Sequence, residues 1–311
     1  MNTSIKPIIC CGFTPCIQRI LEFRHVSKGS VNRAGKVTVG IGGKGANTAR
    51  IVRQLNRHPI LIGFVGGANG MLLEQMLDEE DIGYRHIRVE GETRICQTLV
   101  ETGNPETTEL VEEMPPLTPD NWQHMLKLFQ SLELAGAMVA VSGKLPAGAP
   151  ANAYAQLCQL VHEQDGRVIL DAPGEPLLLA LEYEPFMVKV NDAELLQTVG
   201  GEDLIDACMQ IIGRGARSVL VTRGARSAFY VDEQQTLELF PPQIRAVNPV
   251  GSGDAVTAGI AVALSEGKEI PNALIDGMAC GAANSLNLMS GMIKLDDVDR
   301  LRPEVRLGTL T

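Results

Sequence analysis

The chain has 311 residues, of which 45% are hydrophobic and 21% charged, an ordinary globular composition with ample material for a buried core. A formal net charge of −10 argues against general attraction to nucleic acid or to an anionic membrane. No apolar run approaches the length of a membrane span, and seven cysteines without disulfide or zinc spacing point to a reducing, cytoplasmic setting.

A short apolar run predicts a first strand at Ile8–Cys11. Residues 14–40 follow, read as strands with no helix between them, and then a helix over Ala46–Leu55. A strand at Ile60–Val65 and a helix at Met71–Glu80 come next. Residues 84–114 again read as strands, with alternation in Arg94-Ile-Cys-Gln-Thr-Leu-Val100. Pro115-Pro-Leu-Thr-Pro119 marks a return to helix, with Thr118 or Asp120 as cap and a helix over Asn121–Leu134. Strands at Ala137–Ser142, Val168–Leu170, Met187–Lys189 and Val219–Thr222 then alternate with helices at Asn152–Gln164, Ala193–Val199 and Leu204–Gly213. This alternation predicts one α/β unit over 1–311, a mostly parallel sheet flanked by helices on both faces. The two helix-free stretches, 14–40 and 84–114, predict a small second sheet, whose open face calls for a covering ligand or a second subunit.

Two glycine-rich turns carry the chemistry. In Val247-Asn-Pro-Val-Gly-Ser-Gly-Asp254, an apolar stretch runs into a tight turn that opens a helix over Ala255–Ala263. Unpaired amides at such a helix start attract anions, and Asp254 stands beside them, placed to take a proton from a hydroxyl. The second turn, Gly40-Ile-Gly-Gly-Lys-Gly-Ala-Asn-Thr-Ala-Arg50, brings Gly42 and Gly43 to another helix start. Lys44 adds a charge suited to phosphate, and Asn47 can donate to and accept from a hydroxyl. Each turn alone also fits a plain structural role, with Asp254 as a cap and Asn47 satisfying backbone.

Together and in this order, the two motifs resemble the ribokinase-like (PfkB-type) carbohydrate kinases, most of all the branch of 1-phosphofructokinase and tagatose-6-phosphate kinase. Val31-Asn-Arg-Ala34 and Glu92-Thr-Arg-Ile95 resemble the lid segments with their phosphate-binding arginines. Val141-Ser-Gly-Lys-Leu-Pro-Ala-Gly148, Lys189-Val-Asn-Asp-Ala-Glu194 and Val221-Thr-Arg-Gly224 resemble further family motifs. The resemblance implies a three-layer α/β ribokinase-like fold with a small β lid, and an ATP- and magnesium-dependent phosphoryl transfer to a phosphosugar hydroxyl. In it Asp254 is the general base and Gly251, Ser252 and Gly253 form the anion hole. It implies substrate contacts at Gln18, Arg33, Gly42, Gly43, Lys44, Asn47, Arg94 and Ser142. Nucleotide contacts fall on Lys189, Asn191, Thr222, Arg223, Gly224 and Asn287. Asn191 and Glu194 organise magnesium through water, and a homodimer forms through the lid.

The sequence departs from the family at two places. Gln18 stands where relatives carry a sugar-binding aspartate, with Thr14 in place of an asparagine, and Lys144 stands where relatives have serine. If Lys144 points inward, the acceptor pocket is more positive than usual and favours a more anionic acceptor. Two other functions compete. A kinase for an unphosphorylated sugar or nucleoside gives Arg33, Lys44 and Arg94 little to bind. A non-catalytic binding protein has no use for the intact turn around Asp254.

Overall fold

The computed structural model describes residues 6–103 and 107–310. Its centre is a ten-stranded sheet. β1 (Ile8–Cys11) lies between β4 (Pro59–Val65) and β8 (Met138–Ser142), parallel to both. From β8 the sheet continues in parallel through β9 (Arg167–Asp171), β10 (Met187–Asn191) and β11 (Ser218–Thr222). It then turns antiparallel through β12 (Ala228–Asp232), β13 (Thr236–Phe240) and β14 (Arg306–Leu310). Beyond β4, on the other side, lies β5 (Gly83–Arg88).

Period-two alternation sends successive residues of a strand to opposite faces, and the two cores follow from it. Ile8 and Cys10 join one hydrophobic cluster, and Ile9 and Cys11 the other. The first cluster packs under α1 (Lys44–Gln54), α2 (Gly67–Glu79), α8 (Ser252–Ser265), α9 (Ile270–Ser285) and α10 (Leu295–Leu301). The second lies under α3 (Pro119–Gln130), α4 (Ala153–His162), α5 (Glu175–Ala180), α6 (Asp192–Val199) and α7 (Leu204–Ile212). The expected three layers, helices, sheet, helices, are therefore present. Thr118 caps α3 in a reciprocal box with Asn121, as one of the two expected caps.

A separate four-stranded sheet has the order β3 (Lys36–Gly42), β2 (Cys16–Phe23), β6 (Ile95–Glu101), β7 (Thr107–Val111). Its extent corrects the reading of 84–114 as lid. β5 pairs with β4 in the main sheet, Ile60 opposite Gly83 through Val65 opposite Arg88, so the second lid segment begins only at Ile95. With Tyr84 and Ile87 its only large apolar residues, this half-exposed edge strand lacks the apolar run of its neighbours.

Strand order reverses at β1: the chain runs outward through β4 and β5, then returns to β8 on the other side. Ligands of open parallel sheets bind at such a switch point, outside the carboxyl ends of the strands. Gly12 and Thr14 follow β1 there, Ser142 ends β8 and Gly143 follows it; all four line one small cavity that Lys44 and Arg94 also face.

Candidate active site

A cleft of about 610 Å³ opens beside that cavity, between the small sheet and the carboxyl ends of the main strands. Its floor is the start of α8. Gly251 caps this helix in the left-handed region, φ 80°, where a side chain is strained, so a glycine there lets the chain turn sharply into the helix. The Ser252 amide bonds to Pro249 O at 3.2 Å, whereas among the described residues the amides of Gly253 and Asp254 find no such acceptor. The amides left without a backbone acceptor at this helix start are therefore those of 253 and 254; Ser252 serves the turn instead, its hydroxyl 2.7 Å from that of Ser285.

Asp254 is buried, and its Oδ2 accepts from Asn47 Nδ2 at 2.8 Å. The two glycine motifs, some two hundred residues apart, thus meet in one hydrogen bond. Burial pushes the Asp254 carboxyl up to about 6, and the negative charge of Asp171 adds to this, while Lys44, the Asn47 amide and Lys189 oppose it. A carboxyl poised there is ionised at neutral pH yet basic enough to accept a proton.

Asp171 was not singled out in the sequence. It ends β9 fully buried, and its two oxygens accept from Lys44 Nζ at 2.9 Å and Lys189 Nζ at 2.8 Å. Burial works against its charge, but the two ammonium groups hold the carboxyl below its usual value. Lys44 is likewise held protonated: burial opposes it, and Asp171 and Asp254 outweigh burial. Lys189 Nζ also lies 2.5 Å from where a side chain at Gly253 would begin, which places this cation directly against the helix start. The one signal in the sequence was a carboxylate closing an apolar strand just before Ala172-Pro-Gly174.

The other expected residues divide. Gln18, Gly43, Lys44, Asn47, Arg94, Lys189, Asn191, Glu194, Thr222, Arg223 and Gly224 all line the cleft. Gly42 packs against Gln18 and Cys16. Ser142 lines the adjacent cavity, its buried hydroxyl without a hydrogen-bond partner among the described residues. Asn191 and Glu194 form the capping box of α6: Asn191 Oδ1 accepts from the Glu194 amide at 2.8 Å, and Glu194 Oε2 from the Asn191 amide at 3.0 Å. That leaves Asn191 Nδ2 and Glu194 Oε1 for a ligand.

Several expectations change. Asn287 does not line the cleft; its amide donates to Ala283 O and Met292 O and closes the turn after α9. Arg33 sits exposed on the loop between β2 and β3, outside the cleft lining. Arg94 reaches the cleft but spends its guanidinium on Thr14 O, at 2.8 and 3.1 Å, and on Glu112 O. Arg223 stacks over Phe229 at 4.2 Å and is held by Ser227 and Glu238. Lys144 lies at the rim of the small cavity and turns its ammonium out to Glu113 at 3.6 Å, both side chains mostly in solvent, so the condition for an inward-pointing extra cation is not met.

The family model for pfkB family carbohydrate kinases matches residues 12–287. The chain belongs to that family. Solved structures of similar shape include a candidate phosphofructokinase from Staphylococcus aureus, 28% identical, with a TM-score of 0.83 over 97% of this chain and 99% of that one. Phosphofructokinase-2 from Escherichia coli, solved with fructose-6-phosphate, is 25% identical, with a TM-score of 0.88 over 96% and 98%. A possible 1-phosphofructokinase from Thermotoga maritima is 19% identical, with a TM-score of 0.87 over 98% and 100%, a likeness of fold. In this pfkB-family carbohydrate kinase with a ribokinase-like fold, residues of both glycine turns line one cleft.

Proposed function

We propose that this kinase transfers the γ-phosphoryl group of ATP to a hydroxyl of a hexose phosphate, of the fructose-1-phosphate or tagatose-6-phosphate kind, with Asp254 as general base. The observation that carries this reading is the Asp254 carboxyl, raised to about 6, bonded to Asn47 and set beside free amides at the start of α8. A hydroxyl placed between Asn47 and Asp254 gives its proton to the carboxylate as its oxygen attacks. The amides of Gly253 and Asp254, with Lys189 against them, take up charge on the group in flight.

The walls fit the co-substrates. Pro241, Pro242, Ile244, Met278 and Ala282 form an apolar surface suited to a nucleotide base. Asn191 and Glu194 keep a free amide and a free carboxylate oxygen, the hard donors that a largely hydrated magnesium ion takes. When bound, the ion supplies charge neutralisation to the phosphates. On the acceptor side, Lys44, Arg94 and the unpartnered Ser142 hydroxyl face one cavity, a setting for a phosphate rather than a neutral sugar. The small sheet closes over the acceptor and excludes water. Its outer strands expose Val37, Val39 and Leu110 on the face turned away from the cleft, a surface suited to a second copy of the chain.

The test is a panel of sugar monophosphates and free sugars with Mg-ATP, reading ADP release and product mass. Turnover confined to sugar monophosphates supports the proposal. Turnover of free sugars or nucleosides alone, or saturable binding with no turnover across the panel, rejects it.

A further inference from the structure

Two thiols in the acceptor half of the cleft take no part in this chemistry. Cys16 opens β2 and Cys96 is the second residue of β6. The strands run parallel with Gln18 opposite Cys96, so Cys16, Gln18 and Cys96 project from one face of the small sheet, the face that lines the cleft. Cys16 Sγ lies 4.0 Å from Gln18 Oε1, and Cys96 is its diagonal neighbour across the strands on the same face.

The pair is chemically unequal. The neighbouring Cys16 thiol draws the Cys96 thiol down to about 7; burial opposes this, and the Arg94 guanidinium and the backbone at Glu112 assist it. Cys96 in turn, together with burial, pushes the Cys16 thiol up. Burial pushes Cys10, Cys11, Cys158, Cys208 and Cys280 up as well, which makes them inert. One attacking sulfur and one proton-bearing neighbour are the two halves of a redox pair.

We infer that Cys16 and Cys96 form an oxidisable dithiol, closed to a disulfide by a hydroperoxide, that reversibly shuts the acceptor site. The Cys96 thiolate attacks the terminal peroxide oxygen; an S–O bond forms, the O–O bond breaks, and the departing alkoxide takes a proton to leave as the alcohol. The Cys16 sulfur then attacks Cys96; the S–S bond forms, the S–O bond breaks, and the Cys16 proton leaves with hydroxide as water. Two thiols are oxidised and one hydroperoxide is reduced.

The strand register gives the step its consequence. In parallel strands about 4.8 Å apart with a rise of about 3.3 Å per residue, the two-residue offset sets the two Cα atoms roughly 8 Å apart, whereas a disulfide spans about 4.4–6.8 Å. Closure must therefore draw β2 toward β6 beside Gln18 and Arg94. A bond strained in this way is readily reduced, as befits a reversible device.

The loss of activity rests on the proposed kinase function; the bond itself does not. The reduced full chain is treated with hydrogen peroxide, then split for intact mass, a non-reducing peptide map and kinase assay. Loss of two hydrogens, a Cys16–Cys96 linked peptide and a fall in activity of about 10–100-fold, the cost of an ångström-scale displacement, are expected, all restored by dithiothreitol. Cys16→Ser is expected to leave Cys96 as a sulfenic acid trapped by dimedone, and Cys96→Ser to leave position 16 unmodified. A linkage between other cysteines, no linked peptide in the wild type, or a linked enzyme with undiminished turnover overturns the inference. If no sugar phosphate is turned over even when reduced, the kinase assignment fails and the peptide map alone decides the dithiol.

Discussion

Replacing Asp254 by asparagine should disable the enzyme and stabilise the fold at once. The carboxyl is buried, and its titration is displaced from 3.8 to about 6, chiefly by burial and then by Asp171. At 1.36 kcal/mol per unit, keeping it ionised at neutral pH costs the folded state about 3 kcal/mol. Asparagine removes that charge and can still present an oxygen to Asn47 Nδ2, so the hydrogen bond between α1 and α8 survives. Allowing for relaxation around the new amide, a gain of about 1–3 kcal/mol is expected, a rise of roughly 2–6 °C in melting temperature for a chain this long. The protonated carboxyl's favourable contribution is complete below 3.8 and lost as pH rises through about 6. The variant's advantage in differential scanning calorimetry should therefore be full above pH 6 and vanish below pH 4. Turnover should fall by roughly 10²–10⁴, the worth of a general base. A variant that melts below the wild type at pH 7 would refute the electrostatic account, and one with normal turnover would refute the base.

Three further outcomes follow from the same site. Asp171→Asn strips Lys189 of its buried partner and should cost about 3–5 kcal/mol in denaturant unfolding. It should also move the acid limb of the kcat/KM profile, expected near pH 6, to lower pH, because the negative neighbour of Asp254 is gone while two cations remain. Gly253→Ala places a methyl against Lys189 Nζ and should lower kcat by roughly 10–10² with little change in KM for the acceptor, the mark of lost positioning in the transition state. Gln18, held by Thr98 through a 2.9 Å bond from its Nε2, presents a neutral acceptor; Gln18→Asp should lower KM for ordinary fructose or tagatose phosphates, read from steady-state kinetics across the panel.

The alternation of apolar runs and helices made the parallel core legible, because each strand buried on both faces reads as a short continuous apolar stretch. The meeting of Asn47 and Asp254 was legible too, since glycine turns at helix starts carry their own signature. Asp171 was not, because its meaning lies in partners 127 and 18 residues away, which no local pattern links. β5 was misplaced because an edge strand with few apolar residues resembles a lid strand. α9 left no periodic signal: it is buried nearly all round and built from alanine and glycine. The hairpin of β12 and β13 did leave one, Asp232 accepting from the amides of Gln234 and Gln235, and it went unread. Two arginines were legible as cleft residues but not in their bonding. Charge at a motif position does not say whether a guanidinium is free, and Arg94 and Arg223 spend theirs on the protein itself.

The Asn47–Asp254 bond joins residues 207 positions apart, with Ser290 and Gly291 packed against Asn47 from the other side. On the ribosome, α1 therefore emerges long before anything exists to cover it. A nascent or prematurely ended chain lacking its last quarter has neither Asp254 nor the helix that seals α1, and offers a sticky flank to chaperones and proteases. Incomplete synthesis thus yields no leaky enzyme that burns ATP without an acceptor, only a product fit for disposal.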